Sequence, residues 1–433
     1  MKRVILSVNA GSSSVKVSVY STTKGKEPTQ IAELQVSGLT APPPTLDYSR
    51  GSKTIIKRRE VKDNIDGQDD AFNLLLKTLT DDDELSEISS KDDINVVCHR
   101  IVHGGDFTHH EVISPDTYNS LEALNDLAPL HNAKGLEIVK SCMRLLPRAT
   151  NVASFDSQFH ATIPEHIRTY PINQDIARSN KLRKYGFHGI SYAFIVRSVA
   201  NFLGKSVDET NIIALHLGSG ASACAIKGGK SWDTTMGLTP LAGLPGATRS
   251  GSVDPSLVFH YASDVGKLSP ASTKELHISR AEEILNKESG WKALTGTTNF
   301  AAIAAASTES DNGGEAKKEQ WAKYKLAFDL FADRVSGFVG HYYVTLRGQV
   351  DALVFAGGIG ERSARLRTAV IEQAGCLGFG IDPTRNEDPA SSPGASAVVQ
   401  DISAFDARHR VLVCNTDEQF EMARACALDE GLW

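Results

Sequence analysis

The chain has 433 residues, with 46 Lys and Arg against 52 Asp and Glu, a net charge of −6, and 41% hydrophobic residues. That length suits two or three domains with ordinary buried cores, and the near-balance of charge argues against a protein built mainly to grip nucleic acid. No apolar run approaches the roughly 20 residues of a membrane span, the opening apolar run is too short for a secretory signal, and six scattered cysteines without a CxxC point to buried thiols in a reducing compartment, hence the cytoplasm.

In chain order, residues 3–8 read as a strand, Asn9-Ala10-Gly11-Ser12-Ser13-Ser14 as a glycine turn, and residues 15–20 as a second strand with β-branched alternation. Pro42-Pro43-Pro44 marks a rigid loop, and the acidic stretches 63–70 and 81–93 read as solvated faces or loops. A buried strand is expected over 94–102, helices over 118–127 and 132–144, a short strand over 152–155, and a helix beginning near Ser191. Another apolar strand, 211–217, is followed by Gly218-Ser219-Gly220-Ala221-Ser222 and the apolar run 223–226. This repeats the N-terminal device about 210 residues later and suggests a duplicated domain. Residues 307–316 read as a surface loop and 319–346 as a long amphipathic helix, whose aromatic stripe Trp321, Tyr324, Phe328, Phe331 is a core face. A strand over 352–355 runs into Gly357-Gly358-Ile359-Gly360-Glu361, the last strand spans 410–414, and a helix over 417–429 closes the chain. Strands alternating with helices give an α/β class.

Three glycine turns after apolar strands suit phosphate binding, because glycine lets backbone N–H groups come close to an anion. Familiar templates fail. A P-loop is excluded because Val199 stands where its first glycine belongs before Gly204-Lys205-Ser206. Gly218–Ala223 approaches a dinucleotide fingerprint but leads into a strand rather than a helix. His99-Arg100-Ile101-Val102-His103 has zincin spacing without the Glu base, and Gly189-Ile190-Ser191-Tyr192-Ala193 lacks the second glycine of a nucleophile elbow. Charged groups at strand ends are more telling: Arg100, Asp156, His188, Arg249 and Glu418. Two guanidinium groups, an imidazole and two carboxylates suit phosphoryl transfer, with fixed positive charge for the transferring group and carboxylates for hydrated Mg²⁺.

At these residues the chain resembles the acetate kinase family, within the superfamily of acetate and sugar kinases, heat-shock chaperone ATPases and actin. The matching segments include Asn9–Lys16, His99–Gly105, Ala128-Pro129-Leu130-His131-Asn132, Phe155–His160, Tyr185–Gly189, His216–Ser222, Met236–Pro240, Thr248–Gly251, Gly357–Glu361 and Thr416-Asp417-Glu418. The resemblance implies two duplicated ribonuclease-H-like, actin-like ATPase domains with an active-site cleft between them. The expected bounds are 1–156 plus about 405–433 for the N-terminal domain and 157–404 for the nucleotide-binding domain. It implies reversible, direct in-line transfer between ATP and acetate, giving ADP and acetyl phosphate, with Mg²⁺ at Asn9 and Glu418. Arg100 becomes the acetate contact, Asp156 the acid/base or positioning group, and His188, Arg249 and His131 the stabilisers of the phosphoryl group. Val102, Leu130, Phe187 and Pro240 become the methyl pocket. Ser12, Ser14, Lys16, His216, Leu217, Gly218, Ser219, Gly220, Gly358, Ile359, Gly360, Glu361 and Arg362 face the nucleotide phosphates, and Asn299, Phe300 and Ala301 the adenine.

The chain departs from the family pattern. Ser219 replaces an Asn, Asn299-Phe300-Ala301 loses both charges of Asp-x-Arg, Arg362 replaces an Asn, Tyr192 stands where the HGTSH motif ends in His, and Pro245 precedes Thr248. A pyrophosphate-type donor within the family, or a non-catalytic actin-like nucleotide-binding protein, are the alternatives. Arg100 and Arg249 are expected to be needed for turnover but not for folding. The implied partners are acetate, acetyl phosphate, a nucleotide and a second copy of the chain, with no nucleic acid and no membrane.

Overall fold

The computed structural model describes residues 2–11, 13–39, 43–62, 64–124, 129–261, 267–270, 272, 278–308, 315–392 and 394–433, without the side chains of 129–131, 133, 134, 261 and 316. The chain forms two units, Met1–Gln158 with Asp417–Trp433, and Phe159–Thr416. The chain returns to the first unit at Asp417 rather than near residue 405, because Arg410–Cys414 pairs in parallel with Ala352–Ala356 inside the second sheet.

The first unit contains β1 (Lys2–Ala10), β2 (Ser14–Thr23), β3 (Thr29–Ser37), β4 (Thr45–Arg50), β5 (Lys53–Glu60), β6 (Ile94–Ile101), β7 (Glu111–Val112) and β8 (Thr150–Phe155). They form one sheet in the order β5-β4-β3-β2-β1-β6-β8-β7. The second unit contains β9 (Ile212–Leu217), β10 (Ala221–Lys227), β11 (Lys230–Thr234), β12 (Ala352–Ala356), β13 (Val399–Asp401) and β14 (Arg410–Cys414), ordered β11-β10-β9-β12-β14-β13. Strand for strand, β3-β2-β1-β6-β8-β7 repeats as β11-β10-β9-β12-β14-β13. Each has an antiparallel meander, two parallel additions and an antiparallel edge. The parallel strands β12 and β14 are nearly continuous apolar runs, as strands buried on both faces require, whereas β6 and β8 carry polar residues such as Arg100 and Ser154.

Strands β3 to β5 and β11 are absent from the sequence reading. Ala32, Leu34 and Val36 do alternate inward along β3, but β5 is almost wholly exposed and carries Lys53, Lys57, Arg58 and Arg59, the charged composition of an edge strand. The helix expected over 118–127 runs over Pro115–Ala123, because Ser114 Oγ caps Thr117 N and Pro115 fits the first turn. The Gly357–Gly360 turn is instead the start of helix Gly357–Arg362. The expected loop at 307–316 and the Pro42 loop fall partly outside the described residues, and the long helix begins at Glu315.

Helix Gln68–Thr80 buries Phe72, Leu75, Leu76 and Leu79 against Val17, Leu34 and Val36. In the second unit Phe328, Phe331, Val335, Val339 and Tyr342 of helix Glu315–Thr345 pack on Leu215, Ala223 and Phe355. Five cysteines are buried, Cys376 is exposed, and all six are free.

Candidate active site

In the first unit, sheet register assembles a charged cluster. Arg100 lies opposite Ser154 on β8, and Val8 lies opposite His99. Arg100 and Ser154 therefore share one face of the sheet, and Asn9 follows directly on Val8, the last residue of β1 paired with β6. Asp156 follows two residues after Ser154, with its N–H held by Ile101 O at 3.1 Å. Arg100 Nε and Nη2 donate to Asp156 Oδ1 and Oδ2 at 3.0 and 2.8 Å, and Arg100 Nη1 lies 3.4 Å from Glu418 Oε2. Burial alone favours a neutral guanidinium, but the carboxylates of Asp156 and Glu418 outweigh it and push the Arg100 pKa up. The Ser154 hydroxyl is buried there without a hydrogen-bond partner among the described residues.

Neighbours that the sequence reading passed over hold this cluster in place. Gln419 Nε2 donates to Ser7 O at 2.9 Å, and Ser18 Oγ donates to Gln419 Oε1 at 2.9 Å, tying the start of helix Glu418–Leu428 to β1 and β2. Asp417 caps that helix through Phe420 N, and burial raises the Asp417 pKa. Asn132 brackets His103, accepting from its N–H and donating to its carbonyl, both at 2.9 Å. A Cβ at Gly104 would stand 2.4 Å from Phe155 Cγ, so only glycine lets this turn lie on β8. These contacts account for much of the His99–Gly105 and Thr416–Glu418 motifs.

Other expected residues of this unit are more dispersed. Lys16 is ion-paired to Glu33 at 2.9 Å instead of standing free for a phosphate. Ser14 and Val102 are half-buried. Ser12 and the side chains of Leu130 and His131 lie outside the described residues.

In the second unit, His188 occupies the left-handed region, φ 59, as the residue preceding helix Gly189–Leu203. Its Nδ1 lies 2.8 Å from Ser222 Oγ, and its ring stacks on His216 at 4.3 Å. His216 Nδ1 in turn meets Ser191 Oγ at 2.7 Å. Behind it, His160 bridges Ser231 Oγ and Phe187 O, and burial drives its pKa down to about 4. Phe187 itself is buried. The β9–β10 turn closes through Gly218 N to Gly220 O at 3.1 Å, and Ala247 N reaches Ser219 O at 2.8 Å. Arg249 lies over this turn: a Cβ on Gly220 would be 2.7 Å from Arg249 Nη2, and Arg249 Nη1 donates to Pro240 O at 3.0 Å. Gly357, at φ +73, presses against Leu217 O, which a Cβ would approach to 2.8 Å.

Beside the turn is a cavity of about 520 Å³ lined by Ser219, Asn299, Phe300, Ala301, Gly358, Ile359 and Arg362, together with Arg365 and Glu387. That volume suits a nucleoside-sized ligand. Two of the lining residues differ from expectation. Phe300 is 4% exposed and packed against Trp291, Phe328 and Phe331, so it offers little open surface to a purine. Asn299 Oδ1 accepts from Ala302 N and caps helix Phe300–Ala306. Glu361 does not line the cavity; its Oε1 accepts from Thr416 N and Oγ1. The buried Arg367 was not foreseen. It donates to the carbonyls of Gly360 and Glu361 and to Asn386, and burial lowers its pKa to about 10.

Comparisons with known proteins agree with this arrangement. The chain is 65% identical to a "Probable acetate kinase" of Chaetomium globosum, covering 100% of this chain and 99% of that one. It is 34% identical to an "Acetate kinase" of Corynebacterium jeikeium, with 98% of each covered. Among solved structures, it matches acetate kinase from Porphyromonas gingivalis (TM-score 0.77, 30% identity, 99% and 100% covered) and a propionate kinase from Francisella tularensis (0.80, 31%, 98% each). The family model described as the Acetokinase family matches residues 4–424. Two duplicated α/β units, an arginine clamped by carboxylates and a cavity beside the β9–β10 turn thus accompany a match over nearly the whole length: the chain belongs to the acetokinase family, and its activity is that of a phosphotransferase of the acetate kinase type.

Proposed function

We propose that the chain transfers the γ-phosphoryl group of ATP to a carboxylate oxygen of acetate, reversibly and in line. The acetate oxygen forms the new O–P bond while the bond to the bridging β–γ oxygen breaks, and that electron pair leaves on ADP. Acetate is already an anion, so no proton need be removed, and catalysis reduces to alignment and charge stabilisation. Arg100 carries this reading: a permanently charged fork held between Asp156 and Glu418 at a strand end. It supplies the fixed charge that orients the acetate carboxylate. Asp156 positions Arg100 rather than acting as a base. His188 and Arg249 neutralise the transferring phosphoryl group, and the cavity beside Ser219 takes the nucleoside.

The residues fit Mg²⁺. Asn9 and Glu418 offer hard oxygen donors, and the unpartnered Ser154 hydroxyl lies on the same face as Arg100. One or two such ligands are typical where phosphates and waters complete the shell. Bound there, Mg²⁺ would offset charge on the phosphate oxygens. No described helix is long and apolar enough to cross a membrane. A cytoplasmic homodimer is part of the same proposal, supported by the free buried thiols and by the family. Trapping acetyl phosphate as its hydroxamate, with ATP and acetate each omitted in turn, tests the activity. A product that forms without acetate would refute it.

A further inference from the structure

Tyr192 and Ser222 form a buried hydrogen-bond chain that ends on His188. Ser222 Oγ sits 2.8 Å from His188 Nδ1 and 2.5 Å from the Tyr192 hydroxyl. Both Tyr192 and Ser222 are 0% exposed. Burial keeps the Tyr192 phenol protonated, and the His216 backbone hydrogen-bonds its oxygen as a donor. The single phenolic proton therefore has to be given to Ser222 Oγ, since a buried hydroxyl proton left without an acceptor is strongly disfavoured. Ser222 then accepts from Tyr192, and its own proton points to His188 Nδ1. The reverse chain, in which His188 Nδ1–H donates to Ser222 and Ser222 to Tyr192, leaves the phenol proton stranded.

We infer that Ser222, hydrogen-bonded by Tyr192, is a positioning residue that holds the His188 imidazole in one tautomer, with Nδ1 as acceptor and the proton on Nε2. The inference rests on the reading of His188 as a group that faces the phosphoryl oxygens, for which an Nε2–H donor is the useful form. Two local features fix the ring that carries it. His188 is held in a left-handed conformation at a helix start, and its face is stacked on His216, which Ser191 anchors separately.

The test uses the full chain labelled with ¹⁵N-histidine, with the His188 signals assigned by their loss in His188→Gln. The wild-type protein is expected to show an unprotonated Nδ1 and a protonated Nε2. Ser222→Ala removes the donor to Nδ1, so the second tautomer is expected to appear and kcat to fall about tenfold, with KM for nucleotide unchanged. Tyr192→Phe leaves the Ser222 proton with Nδ1 as its acceptor and is expected to keep the wild-type tautomer. A wild-type His188 protonated on Nδ1, or a tautomer indifferent to Ser222→Ala, overturns the inference. Full turnover by His188→Gln would instead overturn the functional reading beneath it, while the wild-type spectrum would still decide the tautomer.

Discussion

Asp156 takes both arms of the Arg100 fork, at 3.0 and 2.8 Å, from a position 1% exposed at the end of the neighbouring parallel strand. The sequence alone suggests that Arg100 can be removed without harm to the fold; this pairing says otherwise. Arg100→Ala leaves a buried carboxylate uncompensated, a loss of about 3–5 kcal/mol for a buried pair and nearer the low end here, where Arg100 keeps some solvent contact. Urea unfolding is expected to report that loss, and the Arg100→Ala/Asp156→Ala double variant to recover part of it. Activity is expected to be lost in both.

Two buried histidines make stability depend on pH. Burial lowers the pKa of His99, in the first unit, to about 4, and that of His160, in the second, to about 4. The unfolded chain takes up these protons near the ordinary value of about 6.5. Between about pH 6.5 and 4 the unfolded state therefore binds more protons, and stability falls as the pH is lowered through that window. From pH 7.5 to 5 each histidine is expected to cost about 2 kcal/mol. Comparing urea midpoints at the two pH values checks this, and His160→Gln is expected to flatten the slope.

Gly220 separates a folding role from a catalytic one. An added methyl meets only the mobile end of Arg249, at 2.7 Å from Nη2, so Gly220→Ala is expected to leave the melting temperature within a few degrees. It moves the guanidinium, however, and kcat is expected to fall by about 10- to 100-fold. Thermal unfolding together with steady-state kinetics tests both halves. An unchanged kcat would remove Arg249 from the reaction.

The nucleoside cavity offers little that distinguishes one purine from another. Asn299 spends its side-chain oxygen on the Ala302 N–H, and Ala301, Ala304 and Ala305 give the cavity a small, apolar wall. GTP is expected to work within about tenfold of ATP in kcat/KM, since a small, apolar wall cannot strongly reject another base. Asn299→Ala is expected to lose about 1 kcal/mol of stability through the cap and to leave the ATP to GTP ratio unchanged. Strict ATP use in the wild-type protein would contradict this.

The duplicated strand–turn–strand device and the strand-end charges were legible in the sequence because short-range pattern determines them. Arg100 interrupts the strand β6, and the Gly218–Gly220 turn follows β9 directly. What stayed hidden depends on contacts far apart in sequence. Lys16 looked available for a phosphate until β3 brought Glu33 beside it. Phe300 looked like a purine platform until helix Glu315–Thr345 covered it with Phe328 and Phe331. Gln419 and Arg367 carry no local signature at all, since their partners are backbone carbonyls at Ser7 and at Gly360 and Glu361. Strand β5 escaped notice because an exposed charged edge has no apolar period to read.

The most direct test of the account is the rate of acetyl phosphate formation from ATP and acetate by the wild-type chain and by Arg249→Ala. The account predicts acetate-dependent, ATP-dependent turnover in the wild type and a loss of about 10²- to 10⁵-fold in kcat in the folded variant, the range spanned by single electrostatic donors and arginine fingers. Pyrophosphate is expected to be a much poorer donor than ATP, because it leaves the nucleoside cavity empty. A wild-type chain that prefers pyrophosphate, or a folded Arg249→Ala with near-normal kcat, would contradict it.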